Sequence, residues 1–165
     1  MRSLIWLLAA TIAFGFATLA GVADEEKVPL DKVPKAVLDA VKARFPEAKL
    51  TGASKETEEG KLIYEVAFTY KDHKYEVECT PDGAFIAIDK QLDVKELPPA
   101  VAKALETKFP KAKYDVIEEV TRKDKIEHYE VELTTADKKK VEVLIDPAGK
   151  ILKEEKKEEK KEEKK

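Results

Sequence analysis

PKAVLDAVKARFPEAK occupies residues 34–49, and PPAVAKALETKFPKAK occupies residues 98–113. At a constant offset Pro34 matches Pro98, Ala36 matches Ala100, Val37 matches Val101 and Ala40 matches Ala104. Val41 with Leu105, Phe45 with Phe109 and Pro46 with Pro110 complete the correspondence. Proline suits the first turn of a helix, where its missing N–H would have found no partner. The residue before a proline is driven out of the α region, so Phe45 and Phe109 should each close a helix. Between these brackets Val37, Val41 and Phe45 recur every four residues, as do Val101, Leu105 and Phe109, which is one apolar stripe per helix. Neither helix is long enough to persist alone, so each stripe needs a surface to lie on.

That surface is written downstream of each helix, where the period changes to two. In LIYEVAFTY (residues 62–70), Leu62, Tyr64, Val66, Phe68 and Tyr70 share a face while Glu65 and Thr69 point away. HYEVELT (residues 128–134) sets Tyr129, Val131 and Leu133 against Glu130, Glu132 and Thr134. Next, Tyr75, Val77 and Cys79 oppose Glu76 and Glu78, and Val141, Val143 and Ile145 oppose Glu142. Such alternation describes strands with one packed and one wet face. Turn residues fall between them: Glu59 and Gly60, Lys71 and Asp72, and Pro81, Asp82 and Gly83 in the first half. Arg122, Lys123 and Asp124, then Asp137 and Lys138, then Pro147, Ala148 and Gly149 do the same in the second. A last strand over residues 85–88 has a briefer counterpart at residues 151 and 152.

The expected fold class is therefore α+β: a tandem repeat of one helix plus a four-stranded antiparallel sheet, in two layers. The first strand of each unit has the weakest pattern. A unit of about 60 residues is marginal by itself. The link at residues 89–92 is too short for a flexible tether, so the units should cooperate, either packing their helices together or sharing an edge to make one continuous sheet.

The two ends of the chain carry different information. Residues 1–23 read as an export signal: Arg2 is followed by an uncharged apolar run over residues 4–19, then by small residues before a cut after Ala23. A cut after Ala20, or retention as an anchor, are the alternatives. Expected boundaries are 1–23 signal, 24–90 first unit, 91–153 second unit and 154–165 charged tail. From Lys153 the chain holds seven Lys, six Glu and nothing apolar, which reads as a solvated tail. The single Cys allows no internal disulfide, and the absence of Asn excludes N-glycosylation. A net charge of −3, with no continuous basic patch, argues against nucleic acid as a partner.

The leading proline, the A-V-x-x-A-[VL]-x-x-x-F-P-x-A-K run, the Y-E-V strand and the P-x-G turn together resemble the PepSY-like family of β-lactamase-inhibitor-like domains. The residues concerned are 34–49, 64–66 and 81–83, and again 98–113, 129–131 and 147–149. The resemblance implies tandem helix-plus-sheet domains in exported or periplasmic bacterial proteins, with an outer sheet face suited to clasping a protein.

Candidate chemistry is sparse. Cys79 lies in phase with Tyr75 and Val77 and reads as a buried, inert thiol. His73 and His128, the only imidazoles, have no second ligand at metal spacing, so no metal or cofactor is expected. No nucleophile elbow, phosphate-cradling glycine loop or H-E-x-x-H helix occurs. Tyr64, Tyr70, Tyr75 and Tyr129 fall on the packed side, and Tyr114 opens the second unit's first strand; that phase opposes a row of base-stacking platforms. Glu65, Glu76, Glu78, Glu130, Glu132 and Glu142 share the expected wet face. They are either solvated charges or an acidic platform for a partner. An open charged face offers neither the cleft nor the raised carboxyl pKa of a glycosidase, so the expectation is not an enzyme. The leading expectation is an exported, non-enzymatic binding or inhibitory module for an envelope or secreted protein or peptide, without contact to the membrane once the signal is removed. The alternative is an envelope tether using the charged tail.

Overall fold

The computed structural model describes residues 25–157. The expected export signal and residues 158–165 of the expected tail lie outside the described residues. Strand β1 (Glu26–Lys27) and a 3₁₀ turn (Leu30–Lys32) lead into helix α1 (Lys35–Arg44). Strands β2 (Lys49–Glu58), β3 (Lys61–Tyr70), β4 (His73–Cys79) and β5 (Phe85–Gln91) follow. A second 3₁₀ turn (Val94–Glu96), helix α2 (Pro99–Lys108) and strands β6 (Lys113–Arg122), β7 (Lys125–Thr134), β8 (Lys140–Ile145) and β9 (Ile151–Lys157) complete the order. All nine strands form one antiparallel sheet in sequence order, β1 to β9. Of the two arrangements open to the sequence, the continuous sheet is the one adopted.

The helix brackets act as their chemistry dictates. Pro34 and Pro98 are the N-caps, in extended conformation at ψ 136° and 142°. Phe45 and Phe109 are the C-caps, and their N–H groups donate to Val41 and Leu105 carbonyls at 2.8 Å. Each stripe is sealed: Val37, Val41, Val101 and Leu105 are wholly buried. Around α1 the core holds Val66, Phe68, Val77, Cys79 and Ile88, and Phe45 lies 4.9 Å from the Phe68 ring and 5.3 Å from Tyr75. Around α2 the core is mostly aliphatic: Ile117, Val131, Leu133, Val141, Val143 and Ile145 surround Phe109, with Tyr129 alongside.

Register carries one face across the seam between the halves. Ile88 pairs with Thr121, Lys90 with Glu119, and Glu119 with Tyr129. The Tyr129 hydroxyl donates to Glu119 at 3.3 Å. Directly paired residues point the same way, so the first core and the second lie on the same side, and both helices cover that one face.

Two turns pin the helices to the sheet. Gly83 has φ +87° and Gly149 φ +86°; a Cβ on either would stand 2.6 Å from a helix carbonyl oxygen, that of Ala36 or of Ala100. Only glycine meets both demands.

Four details depart from the sequence reading. Residues 89–91 belong to β5 and pair with β6, so the expected link is mostly strand. Lys153 to Lys157 belong to β9, paired along β8, and the Lys108–Glu154 bridge at 2.7 Å ties this strand to α2. Composition had assigned residues 154–157 to the tail, but the open edge of β8 supplies backbone partners that composition does not reveal. Leu62, expected on the packed face, is 38% exposed because it sits at the far end of its strand. Its neighbour Ile63, on the opposite face, is buried.

Candidate functional site

The outer face, opposite the helices, is built in rungs. One runs Ser54, Glu65, Glu78, Ala87. The next runs Ala67, Glu76, Asp89, Val120, His128. A third runs Gln91, Glu118, Glu130, Leu144, and a fourth Val116, Glu132, Glu142, Glu155. All six glutamates singled out in the sequence therefore share this face. Asp89, Glu118, His128 and Arg122 join them and were missed. Asp89 had been read as link, and His128 as an isolated ring.

The expectation of an open, wet face needs correction at its centre. Ala87 is 1% exposed, Val120 and His128 3%, and Glu130 5%, with Ser54 and Ile63 also buried. Ala87, Val120 and Ile63 belong to neither helix-side core. No helix lies on this side among the described residues, so the long side chains around these small ones do the shielding. The result is an apolar floor under a carboxylate layer.

Burial and crowding set the electrostatics. Glu76 is pushed up to about 9, by burial first and then by the charge of Glu65, to which it donates a hydrogen bond. Ser54 donates to the same Glu65 at 2.8 Å. Asp89 is pushed up to about 8 by burial, then by Glu78, Glu118 and Glu130, with Arg122 opposing. Glu78 is raised by burial against the pull of Arg122, whose Nη1 lies 3.7 Å away. Arg122 Nε also lies 3.1 Å from Glu127. His128 Nε2 is 3.1 Å from Glu130 and its Nδ1 3.6 Å from Glu127. Asp89 Oδ1 is buried with no hydrogen-bond partner among the described residues. Carboxyls with raised pKa values thus exist here, contrary to the premise drawn from the sequence. Glu76 and Glu65 are hydrogen-bonded, however, so they lack the separation of about 5 Å or more that a glycosidase pair needs for the sugar between them.

The other candidates fall elsewhere. Cys79 is wholly buried against α1, and burial pushes its thiol up to about 11, leaving it inert at neutral pH. His73 begins β4, with Nδ1 3.0 Å from the Gln91 carbonyl and Nε2 3.4 Å from Glu96, and so braces the seam. A cleft of about 640 Å³ there is lined by Lys71, Asp72, Asp93, Lys95 and neighbours of both signs, without a convergent set. Among the described residues no three His, Cys, Asp or Glu are placed to hold a metal ion, and no helix is long and apolar enough to cross a membrane.

Comparison with known proteins places this architecture. Nothing among curated proteins matches the chain. Among solved structures, a protein of Bacteroides eggerthii described as "putative periplasmic" is 20% identical with a TM-score of 0.65, covering 75% of this chain and 88% of that one. A DUF2874 family protein of Bacteroides uniformis is 21% identical with a TM-score of 0.63, covering 74% and 88%. A BLIP-like protein of Bacteroides fragilis is 21% identical with a TM-score of 0.59, covering 74% and 84%. At this identity they establish a shared fold. The model "Peptidase propeptide and YPEB domain" matches residues 34–89. The model "Putative beta-lactamase-inhibitor-like, PepSY-like" matches residues 62–153, crossing the seam between the halves and taking in more than half of the sequence. The chain belongs to the beta-lactamase-inhibitor-like, PepSY-like family.

Proposed function

We propose that this protein is an exported, non-enzymatic binding or inhibitory module that engages a protein or peptide partner through the outer face of its sheet. The observation that supports the reading is the one-sided placement of the helices, with no helix on the far side of the nine-stranded sheet among the described residues. From β2 to β8 that side is roughly 30 Å wide at about 4.8 Å per strand, the scale of a protein interface. The family's inhibitor-like character supports a surface that works by complementarity. The halves are read as two copies of one helix-plus-four-strand unit, supported by the matched brackets and by the equivalent contacts of Gly83 and Gly149. Export to the periplasm is supported by the signal-like residues 1–23 and by the description of the B. eggerthii neighbour.

The test is reversal of the less buried acids Glu65, Glu132 and Glu142 to Lys together, against a control reversal of Lys35 and Lys103 on the helices. Partner capture, confirmed with the identified partner in purified form, should be lost in the first variant and kept in the second, with circular dichroism unchanged in both. Capture that survives the first variant but fails when residues 158–165 are removed would favour the tether instead.

A further inference from the structure

We propose that the start of the exported chain completes the first edge of the sheet. A cut after Ala23 makes Asp24 the new N-terminal residue, which extends β1 along β2, its carbonyl accepting from the Thr57 N–H and its α-ammonium lying beside Glu25, Glu56 and Glu58. This rests on the export reading for the position of the cut and goes beyond it in saying what the new end does.

Backbone direction decides the placement. Glu26 pairs with Lys55 and Lys27 with Ser54, and the Val28 N–H donates to the Ala53 carbonyl at 2.9 Å. Successive residues of a strand turn their backbone groups to opposite neighbours. Ala53, Lys55 and Thr57 therefore face β1, while Ser54, Glu56 and Glu58 face Glu65, Ile63 and Lys61 of β3. Strand β1 begins opposite Lys55, so Thr57 offers its N–H and C=O to an edge that no described strand residue covers. The same register continued upstream sets Glu25 opposite Glu56 and Asp24 opposite Thr57. Burial raises Glu56, and the charges of Glu65, Glu58 and Glu25 raise it further, so the chain still runs beside β2 at Glu25.

The cut also changes the charge at this corner. Lys55 is engaged with Glu26 at 3.1 Å. Among the described residues no ion pair joins Lys61, across from Glu58, to any of the three glutamates. A signal peptidase adds water across the Ala23–Asp24 bond, leaving a carboxylate on the departing Ala23 and an amine on Asp24. That amine is protonated at neutral pH, whereas an uncut chain has a neutral amide at the same point. Cleavage thus makes a cation where three carboxylates gather. Asp24 is one bond from Glu25, so its effective concentration at the edge exceeds that of any free strand. A covered edge no longer invites other chains, and only the cut chain is closed with a charged end.

The experiment is amide hydrogen exchange, read by NMR at low salt, on four chains that all end at Lys165. They begin at Asp24, at Asp24 with the amine acetylated, at Glu25 and at Gly21. The Thr57 amide should be at least tenfold better protected in the Asp24 chain than in the Glu25 chain, with the Lys55 amide alike in both. The Gly21 chain, which keeps the Asp24 carbonyl, should protect Thr57 as well. Acetylation of the Asp24 chain should lower Thr57 protection at least threefold, and it should have no effect in the Glu56→Gln, Glu58→Gln double variant. Equal Thr57 protection in the Asp24 and Glu25 chains would overturn the extended strand. Protection that grows with protein concentration would give the edge to a second copy and overturn it too. Indifference of the wild-type sequence to acetylation would overturn the role of the ammonium. Intact mass of the protein recovered from the periplasm of an expressing bacterium judges the export reading separately: a chain beginning at Asp24 supports the inference, and one beginning at Gly21 would overturn the ammonium's place while leaving export standing.

Discussion

Replacing Asp89 with Asn should stabilise this protein at neutral pH and above, and flatten its dependence on pH. In the folded chain burial and the surrounding acids push Asp89 from 3.8 up to about 8 and Glu76 from 4.5 up to about 9. The unfolded chain releases both protons near pH 4, whereas the folded one keeps them until pH 8 to 9. Within that window the native state binds more protons than the unfolded state, so the unfolding free energy falls as pH rises, by up to about 1.4 kcal/mol per pH unit for each group. The stability these carboxyls contribute is thus complete below about pH 4 and is lost as the pH climbs through their folded values. For Asp89 the interval to pH 7 is about three units, which bounds the loss near 4 kcal/mol; water reaching part of the side chain reduces this to about 2–3 kcal/mol. Asp137, held at about 2 by hydrogen bonds from Lys139 and Thr135, acts in the opposite sense but only below about pH 4. Urea unfolding followed by circular dichroism at pH 5, 6, 7 and 8 reads the effect. The wild-type midpoint should fall steadily, and the Asp89→Asn curve should be flatter and lie above it by pH 7. A wild-type profile that is level or rising over this range, or a variant weaker than wild type at pH 8, would refute the crowded-carboxylate account.

Other perturbations probe the helix side. Phe45→Ala removes a ring that touches Phe68, Tyr70 and Tyr75 and should cost about 3–5 kcal/mol in chemical denaturation; a loss below about 1 kcal/mol would place that stripe in water. Gly83→Ala and Gly149→Ala each force a Cβ against a helix carbonyl at positive φ, and each should lower stability by at least about 2 kcal/mol, with an unchanged midpoint counting against the turn-to-helix contact. A chain ending at Lys150 strips β9 from the sheet and should lose about 2–4 kcal/mol through the uncovered edge and the half-buried Ile151. One ending at Lys157 should unfold like the full chain, and equal behaviour of the two would mean that β9 contributes nothing.

Local chemistry made the helices and the packed strand faces legible. A proline before and after a four-residue stripe fixes both ends of a helix wherever it lies, and Val66, Val77, Val131 and Val143 reveal their side by alternation alone. The centre of the outer face was not legible. Whether Glu130 meets water depends on neighbours contributed by β6 and β8, residues remote in sequence, and no single strand's pattern contains them. Ile63 and Val120, which the alternation of the packed face passes over, form its second, smaller apolar layer. Asp89 was hidden for a related reason: its pairing with Val120 spans the seam, and a link and an edge strand read alike until a partner is found. The same holds for Lys153 to Lys157, whose backbone bonds to β8 outweigh a composition that favours solvent.

The outermost strand has a bearing on how copies of this protein tolerate one another. Two identical molecules joining β9 to β9 about a two-fold axis must set one residue directly opposite its own twin, since paired side chains point to the same side. From Lys153 to Lys157 every residue is charged. Whichever register is tried within that stretch, the axis therefore falls on Lys facing Lys or Glu facing Glu, and like charges so placed repel. A run of letters that resembles filler thus disfavours edge-to-edge pairing centred anywhere on residues 153–157, an alternative that bare backbone would otherwise invite.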